Sequence, residues 1–201
     1  MVFVAGATGA VGTALLHRAQ ATGLAVRPHV RPQSEGKLSH PDRVVLDLAS
    51  PALVDAMAGC TAVVQLIGTM RKRFHTGDTY ETSDVGTTRH LVAAARANDV
   101  GHFVLLSSVG AGRPAGPYLQ AKAAAEAVVV DAGLPYTILR PSAFEDREGA
   151  WMPGARRVTR LLGLRRYEPI RLDEVALAIV RVLQQGPVGV LEGKALWNVV
   201  G

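Results

Sequence analysis

Cysteine occurs once, at Cys60, so the chain can form no internal disulfide, and a small buried apolar role in a reducing compartment is expected for it. Aromatic residues make up only 5% of the 201 positions, while hydrophobic residues reach 48%. A core built from Ala, Val and Leu suits a parallel sheet covered by helices. No apolar run is long enough to cross a bilayer, and Gly6, Gly9 and Gly12 interrupt the one amino-terminal candidate for a signal segment. The net charge is +5, yet no zinc-finger spacing, RNA-binding aromatic motif or helix-turn-helix pattern accompanies it. Internal repeats and low-complexity linkers are also missing. These absences predict a soluble, cytoplasmic protein with no membrane and no nucleic-acid partner, working as a monomer or homodimer on a small-molecule substrate.

What is present begins at the first residues. Val2 to Ala5 read as a short buried strand, and Ala10 to Ala21 read as a helix. Gly6, Gly9 and Gly12 lie between and within them at a spacing of three. A strand that passes through glycines into a helix delivers unpaired backbone N–H groups and a partial positive charge to one point, which attracts phosphate. Gly6 permits the tight turn, Gly9 lets a pyrophosphate approach, and Gly12 lets the helix pack against the strand. This is the signature of a dinucleotide site.

The second strand, Leu24 to Val30, contains Pro28, which suggests a bend or an edge-like position. Where an NAD-binding chain carries an acid for the ribose 2′-hydroxyl, this one reads Val30-Arg31-Pro32-Gln33-Ser34, with no acid before Glu35. A guanidinium there suits a 2′-phosphate, with Ser34 and Lys37 in support, whereas the alternative is a plain surface arginine. NADP(H) is therefore expected in preference to NAD(H).

A third strand, Arg43 to Leu48, leads to a helix over Pro51 to Gly59 with Ser50 as cap, and a fourth strand covers Thr61 to Ile67. The basic segment Thr69 to Thr79, with Arg71, Lys72, Arg73 and His75, reads as a loop over the cleft that meets substrate or water. A long helix over Tyr80 to Asn98, a strand over His102 to Ser107, a helix over Tyr118 to Ala132 and a strand over Pro135 to Leu139 follow. The βαβα order predicts a doubly wound parallel α/β sheet, a Rossmann fold, with a small C-terminal cap. One domain, 1–201, is the economical division, with its core in about 1–145. The cap region carries helices over Ala155 to Leu162 and Asp173 to Gln185, then short apolar stretches at Val188 to Leu191 and Ala195 to Val200. Arg156, Arg157, Arg160, Arg165, Arg166 and Arg171 cluster in this region and read as a solvated helix face or as a surface for an anionic partner.

Tyr118 and Lys122 stand four apart at the start of the helix after the fifth strand, so they share a face. A free phenol, with a pKa of about 10, is a poor proton donor or acceptor at neutral pH. A neighbouring ammonium and a cationic nicotinamide stabilise its ionised form. Ser108 ends the preceding strand within reach of a carbonyl or hydroxyl, with Ser107 as a rival for that role.

Together these pieces resemble the short-chain dehydrogenase/reductase superfamily, and more closely its atypical NmrA-like and Tat-interacting-protein-like NAD(P)H-binding branch. The resemblance rests on Gly6-Ala-Thr-Gly9-Ala-Val-Gly12, Val30-Arg31-Pro32, Asp47-Leu48, Asp84-Val-Gly-Thr87, Phe103 to Ala111, Tyr118-Leu-Gln-Ala-Lys122 and Tyr136 to Pro141. It implies that Gly6, Thr8, Gly9, Ala10, Val11 and Gly12 hold the pyrophosphate, Arg31 the 2′-phosphate, and Asp47 and Leu48 the adenine. It further implies that Ile67, Gly68, Lys122, Pro141 and Ser142 border the nicotinamide half, and that Ser108, Tyr118 and Lys122 form the catalytic set. No metal is implied. The Asn-Asn-Ala-Gly motif of many active members is replaced by Leu66-Ile67-Gly68-Thr69, and the carboxyl-terminal region is too short for a sugar-nucleotide domain. Two functions fit this pattern. One is an NADPH-dependent oxidoreductase acting on a small carbonyl- or quinone-like substrate, and the alternative is a non-catalytic NAD(P)H-binding sensor, regulator or assembly factor.

Overall fold

The computed structural model describes residues 1–68, 81–145 and 154–201. The basic segment from Thr69 to Thr79 and Tyr80, the expected helix start, lie outside the described residues, as does most of the loop expected after Ala143.

Seven parallel strands form one sheet in the order β3-β2-β1-β4-β5-β6-β7. They are β1 (Val2–Ala5), β2 (Val26–Val30), β3 (Val44–Val45), β4 (Ala62–Gln65), β5 (His102–Leu106), β6 (Tyr136–Arg140) and β7 (Gly189–Glu192). The seven α-helices of the described residues are α1 (Ala10–Thr22), α2 (Ala52–Ala56), α3 (Thr87–Ala97), α4 (Pro117–Asp131), α5 (Ala155–Leu161), α6 (Leu172–Gln185) and α7 (Lys194–Val200). A π-helical turn, Glu81–Gly86, leads into α3.

Strand alternation sorts the core into two halves. Val2 and Val4 face one side with α1, α6 and α7, where Leu15, Ile179 and Trp197 are buried. Phe3 and Ala5 face the other with α2, α3 and α4, where Leu53, Leu91 and Val129 are buried. Each fully buried Leu, Ile or Phe contributes about 1.5–3 kcal/mol relative to exposure, so both faces of the sheet must be covered for it to be stable.

The carboxyl-terminal stretch is more deeply built in than a cap. Val188 to Leu191 corresponds to β7, which pairs with β6 through Thr137↔Gly189 to Arg140↔Glu192. The last apolar stretch is helix α7. The third strand is shorter than the sequence suggests: only His29↔Val44 and Val30↔Val45 pair. Pro28 therefore sits in β2 before the β3 ladder begins, and its missing N–H costs the sheet nothing on that side.

Candidate functional site: the carboxyl edge of the sheet

Register brings the expected site residues to one edge. Ala5 pairs with His29 on one side and Gln65 on the other, so Arg31 and Ile67 both lie two positions beyond their rung, level with Ala7. Gln65 pairs with Leu105 and Leu106 with Leu139, which puts Gly68 level with Ser108 and Ser108 level with Pro141. The strand order changes direction at β1, where β2 lies to one side and β4 to the other. That crevice at the carboxyl ends is where open α/β sheets receive ligands.

Gly6 takes φ +90°, which a side chain rarely tolerates, and turns the chain sharply after β1. A Cβ on Gly12 would lie 2.3 Å from the Gly6 carbonyl oxygen and 2.6 Å from that of Ala7, so helix and turn touch backbone to backbone. Thr8, Gly9 and Ala10 are exposed, and no acid occupies the first turn of α1. The Gly9 N–H donates to Gly6 O at 3.0 Å and the Thr13 N–H closes the first helical bond, onto Gly9 O at 2.8 Å, so the N–H groups of Ala10, Val11 and Gly12 between them are the ones at hand for a ligand. Val11 is buried in the core and supplies only its backbone. The turn fits a diphosphate.

Arg31 is exposed at the end of β2. A cleft of about 610 Å³ running from the turn along α1 is lined by Thr8, Thr13, His17, Lys37 and His40 among others. Ser34 is buried, so the structure does not present it to a phosphate as expected. Asp47 is exposed and folds back, its carboxylate accepting the Ala49 N–H at 2.9 Å. Leu48 is only 5% exposed and packs its side chain in the core with Phe3 and Leu53.

At the nicotinamide end, α4 begins with Pro117 at its first position and puts Lys122, Glu126 and three apolar residues inward. Tyr118 is 38% exposed at the cleft side of the helix start. The Lys122 ammonium lies 6.0 Å from the Tyr118 ring centre. It is also ion-paired to Asp84 of the π-helical turn at 2.7 Å, with the two side chains 7% and 1% exposed. Lys122 therefore stands beside the phenol as one half of a buried ion pair. A Cβ on Gly68 would lie 2.9 Å from the Lys122 Nζ, so the exposed Gly68 covers the ammonium closely and a larger residue would displace it.

The two serines differ. Ser107 is buried and donates its hydroxyl to the Glu126 carboxylate. Glu126 in turn binds Arg140, at 2.9 Å and 2.5 Å, and Arg140 binds Glu192 at 3.1 Å. These two carboxylates hold the Arg140 guanidinium well above its ordinary pKa. Ser108 is half-buried and, among the described residues, its hydroxyl makes a long contact, 3.4 Å, to Val109 O, so it is the serine nearer the cleft. Pro141 is buried, and the Ser142 hydroxyl donates to Glu168 O, tying the chain after β6 to the cap.

The arginine cluster is exposed apart from the partly buried Arg156, and it is ordered by ion pairs. Arg156, Arg160 and Arg165 converge on the buried Glu168, with N–O distances of 3.2, 2.7 and 3.4 Å. Arg156 also pairs with Glu174 at 2.6 Å and stacks over Trp197 at 4.8 Å, while Arg166 pairs with Glu192. Sequence reasoning missed the acids that organise these cations. Glu126 had a signal, a charge on the inward, Ala-rich side of α4, but Asp84 had none beyond its place in a family motif. Gln65 was missed as well: fully buried, it donates to Thr87 Oγ1 at 3.1 Å and accepts the Ile67 N–H at 3.1 Å, fixing the chain that leaves β4.

A wholly parallel, doubly wound sheet with a glycine turn at its switch point defines a Rossmann nucleotide-binding protein. The chain belongs to the NAD(P)H-binding family, whose model matches residues 6–186. It is similar to "Protein TIC 62, chloroplastic" of Oryza sativa subsp. japonica, 32% identical over 72% of this chain, and spans 35% of that protein's length. Among solved structures it is similar to the oxidoreductase ylbE of Lactococcus lactis, at a TM-score of 0.70 and 19% identity over 99% of this chain and 94% of that one. It is also similar to the NADPH-dependent quinone oxidoreductase QOR2 of Escherichia coli complexed with NADPH, at 0.72 and 20% identity over 96% and 68%. Identities this low establish a shared fold.

Proposed function

We propose that this chain is an NADPH-dependent oxidoreductase that reduces a small carbonyl- or quinone-like substrate. The observation that carries the reading is the placement of Tyr118, Lys122 and Ser108 at the same sheet edge as the glycine turn, at the nicotinamide end of the crevice. The quinone-reducing activity in the name of the structurally similar QOR2 supports the substrate class. Bound NADPH supplies the reducing equivalent at nicotinamide C4. The chain's own residues do the rest: the turn and the start of α1 hold the diphosphate, and Arg31 with Lys37 engages the 2′-phosphate through charge-assisted bonds. Ser108 donates to the substrate oxygen, Tyr118 gives that oxygen its proton, and Lys122 orients the nicotinamide ribose.

Fluorescence titration with NADPH and NADH tests the cofactor. NADPH should bind more tightly, and Arg31→Ala should weaken NADPH by about tenfold while leaving NADH nearly unchanged. Equal affinities in the wild type would defeat the NADP assignment. A carbonyl and quinone panel run with Tyr118→Phe tests the chemistry, and a kcat loss of about a hundredfold or more is expected for the variant. The Lys122–Asp84 pair supports a second reading, a binding protein that responds to cofactor state without turnover. That reading replaces the first if the wild type binds NADPH and reduces nothing.

A further inference from the structure

Lys122 is a buried ammonium at the floor of the crevice, and such a charge stays there only if something compensates it. Asp84 does so at 2.7 Å, from a different element. An ammonium has three N–H donors. Among the described residues, Leu106 O accepts one of them at 3.4 Å, and the Asp84 Oδ1 faces the ammonium as its ion-pair partner. The two acceptors approach from the π-helical turn and from the end of β5, and the exposed Gly68 covers the ammonium closely. The Tyr118 ring lies beside the same ammonium, its centre 6.0 Å away.

We propose that Asp84 is a positioning residue for the nicotinamide half of the cofactor, acting through Lys122. It makes the buried ammonium tenable and fixes its position, so that the ammonium meets the nicotinamide ribose without a search. This deepens the function proposed above and rests on it. Asp84 reaches only the nicotinamide half, because the adenosine phosphates are held by the turn and Arg31, on other strands.

The test compares two ligands on wild type and Asp84→Asn. NADPH spans both halves of the site, while 2′,5′-ADP occupies only the adenosine half. Asparagine keeps the shape and one acceptor but removes the charge. The expected result is NADPH binding weaker by about tenfold, a lower emission gain of the bound dihydronicotinamide, and 2′,5′-ADP affinity within twofold of wild type. Equal losses for both ligands, or none for either, would make Asp84 scaffold and overturn the proposal while the cofactor assignment stands. A wild type that binds neither ligand defeats the functional reading as well. Should Asp84→Asn not fold, Asp84→Leu/Lys122→Met, which leaves no buried charge, is read in the same way. NADPH binding at wild-type strength in that double variant overturns the proposal.

Discussion

At the scale of single residues, two glycines shape the site through the space they leave rather than through flexibility. Gly68 admits the Lys122 ammonium, and Gly12 admits the carbonyls of Gly6 and Ala7. The two contacts differ in how they respond to a methyl group, because Lys122 is the end of a flexible side chain whereas Gly6 and Ala7 present backbone. At Gly12 the methyl would press on oxygens at 2.3 and 2.6 Å that belong to the phosphate-binding turn itself. The helix start must then move off the turn, pulling its N–H groups away from the diphosphate. Gly12→Ala should therefore lose stability by about 1–3 kcal/mol, the usual cost of overpacking, and lose NADPH affinity by more than about tenfold. Urea unfolding and fluorescence titration measure the two separately. Unchanged NADPH binding would show that the close approach of α1 to the turn is unrelated to the cofactor.

At the scale of elements, the ion pairs decide where the carboxyl-terminal third sits. Glu168 has no exposed side-chain surface and gathers Arg156 and Arg160 from α5 and Arg165 from the turn that follows, while Ser142 and the Phe144↔Ile170 bridge fasten the same stretch to the chain leaving β6. Glu168→Ala leaves cations without their common anion. Removing one partner of a buried pair costs about 3–5 kcal/mol, and the half-exposed Arg160 and Arg165 turn to solvent, so about 3 kcal/mol is expected by urea unfolding. A loss below about 0.5 kcal/mol would return the cluster to the status of surface charge. This is also where sequence reading stops. The first βα unit was legible because glycine spacing is local, and Tyr118 with Lys122 was legible because helix geometry places residues four apart on one face. Asp84 was not, since its partner lies on another helix. Nor was β7: Val188 to Leu191 is short and holds a glycine, and only its pairing with β6 makes it a strand. The arginines are exposed as their sequence suggests, but local composition does not show that Glu168 is buried beneath them.

At the scale of the whole molecule, the sheet carries two histidines in its interior that take no part in the candidate site. His29 stacks on Phe3, with ring centres 6.1 Å apart, and donates from Nε2 to Leu46 O at 2.9 Å. His102 bonds Thr137 Oγ1 at 2.8 Å. Burial pushes both below their ordinary pKa of 6.5; at His29 the bond to Leu46 O and the Asp47 charge oppose the shift and the Arg31 charge adds to it. Both are therefore neutral in the folded chain at a pH where the unfolded chain begins to protonate them. Between the two pKa values the unfolded state holds more protons, so stability falls as pH drops below 6.5 and levels off only below the folded-state values. The slope approaches at most about 1.4 kcal/mol per pH unit for each histidine. Urea unfolding from about pH 7 down to about pH 5.5, above the range where carboxylates protonate, should show this loss in the wild type. His29→Gln/His102→Gln is expected to start from a lower stability, since packing suffers, but to vary much less across the same range. If the double variant loses stability as steeply as the wild type, the protons are taken up elsewhere and these two rings are not the acid-sensitive part of the sheet.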